Sequence, residues 1–440
     1  MLEAKRNMKR LAIRILRVRD VAACSRELRA RTAMKPKSAA GVRAILDAVA
    51  ERGDRKLIEF TRRFDGVRLD SIRVGARELE SACSRIGSEQ LRAIRMAKRN
   101  LEAIERTLMA RLRGIGTSVD GIRIAKLVRP LDSVGCYVPG GKARYPSSVV
   151  MCVVPAAVAC VPRIVVCTPP GRDGCVDPIT LAACRICGAH EVYRVGGPQA
   201  IAAMAYGTGT IRPVAKIVGP GGALVTIAKH FVSDTCAIDM LAGPSELVVL
   251  ADESADPRLV AHDLAAQAEH SEDTFCGLVT DSAKLAARIA HEIPETIRAM
   301  PRRETIRRSL AQNGFIAVCR NIETAVRLTN ELAAEHVEVL ARNAARLARK
   351  VTCAGVVLAG RFAPVAAADY CLGSNHVLPT MGSARARGGL SCLDFVKISG
   401  LVTVSRRALE RIAPAVESLS EAEGLPAHGA AVRARLQRFR

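Results

Sequence analysis

From residue 145 onward, short runs of β-branched residues alternate with segments whose apolar positions recur at helical spacing. RIVVC (163–167), EVYRV (191–195), KIV (216–218), ELVVL (246–250), GLVT (277–280), GFIAV (314–318) and GVVLA (355–359) read as strands. Residues 199–206, 257–270, 283–292 and 344–350 read as the helices between them. Such alternation predicts parallel sheets covered on both faces, a doubly wound α/β architecture. Before residue 130 the periodic, charge-rich patterns at 40–63 and 76–113 predict a mainly helical segment, preceded by a helical N-terminal arm. The last forty residues read as one long amphipathic helix followed by a polar tail. In folds of this kind ligands are expected where loops leave the carboxyl ends of strands.

At 440 residues the chain is long enough for two or three domains. The longest apolar run, 149–161, is 13 residues and contains Pro155, too short to span a bilayer. Basic residues interrupt the apolar ones of the first twenty positions, leaving no signal-peptide core; an Arg-rich transit peptide is the alternative to the helical arm. Fifteen cysteines, an odd number without framework spacing, point to a reducing compartment and a cytoplasmic protein. Cys184 and Cys187 form an isolated CxxC; with no second pair at zinc-site spacing, they are read as packing residues. The formal charge of +23 raises nucleic-acid binding as a role. Against it, the basic residues are dispersed and aromatics make up only 3% of the chain, too few for base stacking. A nucleic-acid-binding protein would be retained on DNA at about 150 mM salt.

Eight histidines are few enough to weigh singly. His190, His230, His262 and His291 have no polar constellation nearby in sequence and read as surface or capped residues. The other four stand in unusual surroundings. Gln267 and His270 share a helical face at i,i+3, so an amide oxygen and an imidazole could reach one cation. Glu335 and His336 are adjacent where a helix gives way to a strand; the pair suits acid–base work, but also a solvated turn. Asp369 and His376 flank a Gly-containing loop, and Glu423 and His428 fall in the C-terminal tail, where a histidine is usually just solvated. Gln267, His270, Asp369 and His428 would together make a donor set suited to zinc, though spacing alone does not select these four.

GCYVPGGKARYPSSVVM (135–151) only superficially resembles a phosphate loop, because Cys136 and Ala143 break the required pattern. GGPQAIAAMAYG (196–207) and IVGPGGALVTIAK (217–229) pass from strand through a Gly/Pro turn into a helix, a shape that can present backbone N–H groups to an anion. Dinucleotide binding stays open at this level.

Taken in order, YVPGGKARYPSSVVM, VYRVGGPQAIAAMAYGTGTI, KIVGPG, IDMLAGPSELVVLAD, DLAAQAEH, AAEHVE, SNHVLPT, GLSCLDFVK and EAEGLPAHGAAV resemble the histidinol dehydrogenase family, from about residue 36 to residue 435. The resemblance implies two doubly wound, Rossmann-like domains with a helical N-terminal arm and a small C-terminal tail domain. Laid on this chain, these are an arm at 1–32, a first α/β domain at 33–136 plus 247–390, a second at 137–246 on the NAD side, and a tail at 391–440.

The resemblance further implies an NAD-linked, four-electron oxidation of L-histidinol to L-histidine through the aldehyde. Zinc would be held by Gln267, His270, Asp369 and His428, the last supplied by the other subunit of a homodimer. Ser245, His376 and Glu423 match substrate contacts, together with His336 and the metal ligands; Tyr137 and Gln199 match NAD contacts. His336 would be the general base, and Glu335 would activate the water that hydrates the aldehyde. Several positions depart from the family pattern. Gly222 stands where an Asn contacting NAD is usual, Ala215, Ala334 and Ser271 replace an expected Asp, Pro and Asp, and Gly388 replaces a Ser. None is a ligand or a member of the acid–base pair, so an active enzyme with weaker NAD binding is expected. A related dehydrogenase acting on another polar alcohol, and an inactive paralogue kept as a binding protein, are the competing readings.

Overall fold

The computed structural model describes residues 13–31, 39–140 and 144–438. Residues 1–12 and 32 of the expected arm, 33–38 of the expected first domain, 141–143 of the Gly-rich loop and 439–440 of the tail lie outside them. The described part of the arm is strand β1 (Arg14–Arg17) followed by helix α1 (Val21–Arg29), which corrects the all-helical expectation. Two arginines mask the short apolar signal of β1, and its identity is decided by parallel pairing with residues 315–318, some three hundred positions away. Asp20 caps α1 by accepting from the Ala23 N–H at 3.0 Å.

Helices α2 (Ala39–Asp65) and α3 (Ser88–Arg111) form where the periodic patterns predict them. α2 is broken at Gly53, whose φ of 50° lets the chain bend against Thr208. The next segment is not helical as expected: β2 (Gly116–Val119) and β3 (Ile122–Pro130) make an antiparallel hairpin.

Strands β4 (Val134–Tyr137), β5 (Ile164–Cys167), β6 (Glu191–Tyr193), β7 (Lys216–Val218) and β8 (Ala237–Ile238) form a parallel sheet in the order β6-β5-β4-β7-β8. Helices α4 (Pro146–Val158), α5 (Pro178–Cys187), α6 (Gly197–Tyr206) and α7 (Ala223–Val232) connect them. The apolar run at 149–161 is mostly α4, buried between α3 and α5. No helix among the described residues is long and apolar enough to cross a membrane.

Strands β9 (Glu246–Ala251), β10 (Phe275–Thr280), β11 (Phe315–Val318), β12 (His336–Leu340) and β13 (Val356–Ala359) join β1 in a second parallel sheet, ordered β1-β11-β10-β9-β12-β13. Helices α8 (Pro257–Ala268), α9 (Ala283–Arg298), α10 (Arg303–Asn313) and α11 (Ile322–Leu332) flank it. β4 opens the five-stranded sheet as an internal strand, and β9 is likewise internal in the six-stranded sheet, where β1 adds at the edge beyond β11. From each, the next two strands build to one side and the last two to the other, so the doubly wound expectation holds twice. Alternate residues of β9 face opposite cores: Leu247 and Val249 meet Leu264 and Ile289, whereas Val248 and Leu250 meet Leu28 and Leu328. Both faces are covered, which is why these strands carry unbroken apolar runs.

The chain ends in β14 (Val396–Val404), antiparallel to β3, then α12 (Arg406–Ala422) and α13 (Pro426–Arg438). The expected polar tail is therefore a helix, opened by Pro426 and packed on α12. The packing also differs from the sequence grouping of 33–136 with 247–390. Val42, Leu46 and Phe60 of α2 pack with Val165, Ile201 and Val225, and Ile94 and Leu101 of α3 with Val149 and Leu181. These helices and β4 thus side with the five-stranded sheet.

All fifteen cysteines are free. Cys184 and Cys187 are buried, and loss of solvation pushes both thiols up, Cys187 to about 12, so the CxxC is packing rather than chemistry.

Candidate active site

The polar cluster lies at the amino edge of the six-stranded sheet, against the expectation of a carboxyl-edge site there. Glu246 opens β9 and His336 opens β12. α11 stops at Ala333, a left-handed residue with φ 45°, which turns the chain sharply so that Glu335 and His336 enter β12 side by side. Both are buried, at 7% and 3% exposure, which removes the solvated-turn alternative for the pair.

Glu335 Oε2 accepts the Glu246 backbone N–H at 2.8 Å and lies 3.6 Å from His336 Nδ1. His336 Nδ1 lies 3.1 Å from the Glu246 carbonyl oxygen. A carbonyl can only accept, so Nδ1 carries the proton and Nε2 is the free position of a neutral ring. Nε2 faces Asp369 Oδ1 at 3.5 Å, and Asp369 Oδ2 lies 3.9 Å from His270 Nε2. Burial pulls the His336 pKa down, but the Glu335 and Asp369 carboxylates outweigh it and hold the ring at about 10. For Nε2 to act as a base at neutral pH, the Asp369 charge must be engaged elsewhere.

His376 is locked by the same loop. Its Nδ1 donates to the Asp369 carbonyl at 2.7 Å, and Nε2 lies 3.4 Å from Ser148 Oγ. Loss of solvation lowers its pKa, so the neutral ring accepts from the serine hydroxyl. In sequence, Ser148 carries no signal beyond its place in the YPSS segment at 145–148.

α8 ends at Ala268, two residues before the expected end, and His270 follows in a turn, its side chain 44% exposed. Gln267 is 1% exposed, and its Oε1 has no hydrogen-bond partner. A buried unpaired acceptor costs about 1–3 kcal/mol, so this amide oxygen is built for a partner that the chain itself does not supply. An amide oxygen, an imidazole and a carboxylate make a donor set that fits zinc. The structure does not bring the fourth expected ligand to them within one chain. His428 is exposed on α13, as is Glu423 at the end of α12, and among the described residues no group of three or more His, Cys, Asp or Glu could hold a metal. Ser245 immediately precedes β9, partly buried.

The carboxyl edge of the five-stranded sheet faces this cluster through Ser148 and His376. Tyr137 ends β4 and its hydroxyl accepts the Gly197 N–H at 3.1 Å. Gln199, in the first turn of α6, is 1% exposed with Oε1 unpartnered. Beyond β7, Gly219 turns at φ 115°, where a side chain would collide with the Tyr137 carbonyl. Gly222 is the exposed N-cap of α7, and a Cβ added there would meet nothing within 4 Å. A cavity of about 300 Å³ opens beside these loops, lined by Arg85, Gly140, Arg144, Thr168 and Asp177 among others.

Known proteins resemble this chain over nearly its whole length. The family profile described as histidinol dehydrogenase matches residues 28–436. The histidinol dehydrogenase of Synechococcus sp. is 45% identical over 400 residues, covering 90% of this chain and 92% of the relative. That of Geobacillus kaustophilus is 46% identical over 399 residues, covering 90% and 94%. The crystal structure of histidinol dehydrogenase from Elizabethkingia anophelis superposes with a TM-score of 0.90 at 32% identity, covering 97% of this chain and 98% of that one.

Proposed function

The chain belongs to the histidinol dehydrogenase family, an oxidoreductase family of histidine biosynthesis, and from that premise we propose that it oxidises L-histidinol to L-histidine in two NAD-linked steps through the aldehyde. The observation that carries the reading is the buried Glu335–His336 pair, fixed by Glu246 beside Asp369 and His270.

His336 Nε2 takes the alcohol proton, its ring held in the correct tautomer by the Glu246 carbonyl. The Glu335 carboxylate then takes a proton from the water that hydrates the aldehyde. Low exposure of both residues keeps bulk water from competing. Gln267, His270 and Asp369 would hold zinc, with His428 coming from a second copy of the chain. The metal, when bound, supplies an anchor and Lewis acid for the substrate's nitrogen and oxygen donors. Asp369 then has a cation to engage its charge, which is the condition for Nε2 to work as a base at neutral pH. Glu423, on the same terminal unit as His428, would meet the substrate ammonium, and Ser245 and His376 would orient it. Such sharing makes a homodimer the working unit, in the cytoplasm. Tyr137, Gln199 and the turn at Gly222 would receive NAD at the carboxyl edge of the five-stranded sheet, in keeping with the usual rule for such sheets.

With zinc-loaded protein, L-histidinol should give two NADH per molecule oxidised, followed at 340 nm, and chelation should abolish the signal. Protein that retains zinc but makes no NADH at saturating NAD overturns the reading. A faster turnover of a different polar alcohol would shift the substrate.

Gly222→Asn tests the NAD side. The site is open, so the amide enters without strain. One regained hydrogen bond is worth about 0.5–1.5 kcal/mol, so the KM for NAD should fall roughly threefold to tenfold. As an N-cap, Asn gains only a few tenths of a kcal/mol over Gly, so the melting temperature should barely move. An unchanged KM would remove Gly222 from the NAD site.

A further inference from the structure

Beneath the acid–base pair lies a residue that the mechanism has so far used only through its backbone. Glu246 is 1% exposed, and both its backbone and its carboxylate bond to the acid–base pair. Its N–H holds the Glu335 carboxylate at 2.8 Å, and its carbonyl holds His336 Nδ1 at 3.1 Å. Its own Oε2 accepts the Glu335 N–H at 3.2 Å, and Oε1 accepts the Met381 N–H at 2.9 Å. Glu335 and Glu246 are thus joined reciprocally, side chain to backbone in both directions.

A buried carboxylate in that position needs a counter-charge. It comes from the N-terminal arm. Arg29, the last residue of α1, grips both Glu246 oxygens with two guanidinium nitrogens, Nη2 to Oε2 at 3.1 Å. The same Nη2 donates to the Leu332 carbonyl at the end of α11, and the guanidinium sits 5.0 Å over the Phe275 ring. Ser25 Oγ adds a bond to the Glu331 carbonyl at 3.0 Å. Arg29 therefore satisfies the terminus of the helix that delivers Glu335 and His336, and at the same time neutralises the carboxylate that fixes them.

We propose that Arg29 and Glu246 are positioning residues for the Glu335–His336 pair, and that α1 acts as a clamp on the active site rather than as an appended arm. The inference deepens the function proposed above and rests on its assignment of the acid–base pair. Neither side chain touches the substrate or an atom that takes a proton; the carboxylate and the guanidinium act through the backbone. The fork binds Glu246 in one orientation, which fixes the Glu335 backbone and, through the Glu246 peptide, the directions of both catalytic side chains.

Two measurements on the zinc-loaded, full-length protein test this separately. In the first, amide hydrogen exchange is compared between wild type, Arg29→Gln and Arg29→Lys. Exchange should quicken in Arg29→Gln at residues 333–338 and around Met381 but stay unchanged in β10 and β11, with Arg29→Lys between the two. In the second, steady-state kinetics should show kcat falling about 10- to 100-fold in Arg29→Gln, because a shift of an ångström at the pair costs about that much. The KM for L-histidinol should stay within about twofold, since the substrate's own contacts are intact. Arg29→Lys keeps the charge but loses the fork, so it should recover part of kcat. Should Arg29→Gln fail to fold, Glu246→Gln, which keeps shape and acceptor, is read in its place. Unchanged exchange at 333–338, or kcat at the wild-type value, overturns the proposal. Wild-type protein that makes no NADH overturns the functional reading instead, and the exchange experiment still decides whether the couple positions Glu335 and His336.

Discussion

His336→Ala is expected to lower kcat for L-histidinol by about 10²- to 10⁴-fold, the usual contribution of a positioned general base. The argument is geometric. Nδ1 is committed to the Glu246 carbonyl, leaving Nε2 as the ring's one free position, and no other imidazole shares that surrounding. His270 Nε2 lies on the far carboxylate oxygen of Asp369, and His376 is fixed at both nitrogens by Asp369 and Ser148. Zinc retention should be close to wild type, because the proposed ligands Gln267, His270 and Asp369 remain. Glu335→Gln should separate the steps: oxidation of the alcohol survives better than conversion of the aldehyde, so NADH per histidinol falls below two. Steady-state rates with L-histidinol and with L-histidinal, beside metal content, check both variants. A His336→Ala enzyme within tenfold of wild type would remove His336 as the base.

Lys229→Met is expected to destabilise the protein by roughly 3–5 kcal/mol, the cost of leaving a buried charge without its partner. Lys229 and Asp239 are ion-paired with side chains 3% and 0% exposed. The pair also holds the turn beyond β7: Lys229 Nζ donates to the Gly219 carbonyl at 3.1 Å, and Asp239 Oδ2 accepts the Gly219 N–H at 2.8 Å. Asp239 Oδ1 accepts the Met240 N–H at 2.6 Å as well. Methionine fills the lysine's volume but leaves the Asp239 charge bare. Spread over 440 residues, that loss should lower the melting temperature by roughly 3–5 °C. Adding Asp239→Asn should recover part of the loss by removing the bare charge, while the KM for NAD should be raised in both variants because the Gly219 turn is loosened. Scanning calorimetry of the single and double variants decides it. A single variant melting within about 2 °C of wild type would show the pair to be energetically neutral.

The two sheets and the segments carrying the site were readable from one dimension for a common reason. Buried parallel strands such as 247–251 and 315–318 must be apolar on both faces, and helices such as α8 must present an apolar stripe, so burial is written into the local pattern. Elements whose identity depends on a remote partner were not readable. β1 is four residues with an arginine at each end, β14 is exposed over most of its length and β3 has no fully buried residue, so none carries a burial signal; only pairing across the chain makes them strands.

For the site, the types and order of residues were legible through the resemblance: Gln267, His270, Glu335, His336, Asp369 and His376 stand in segments that match the family. Their arrangement was not. That Glu335 and His336 are buried rather than a solvated turn, that they sit at the amino edge of their sheet, and that Glu246 holds both of them follow from hydrogen bonds between the Glu246 backbone and side chains about 90 positions further along. Backbone donors and acceptors are the same at every residue, so no sequence pattern announces which of them will meet. The chain by itself determined which segments must be buried and which chemical groups are available. The tertiary structure alone decided which backbone amide faces which carboxylate, and hence which nitrogen of His336 is free to take a proton.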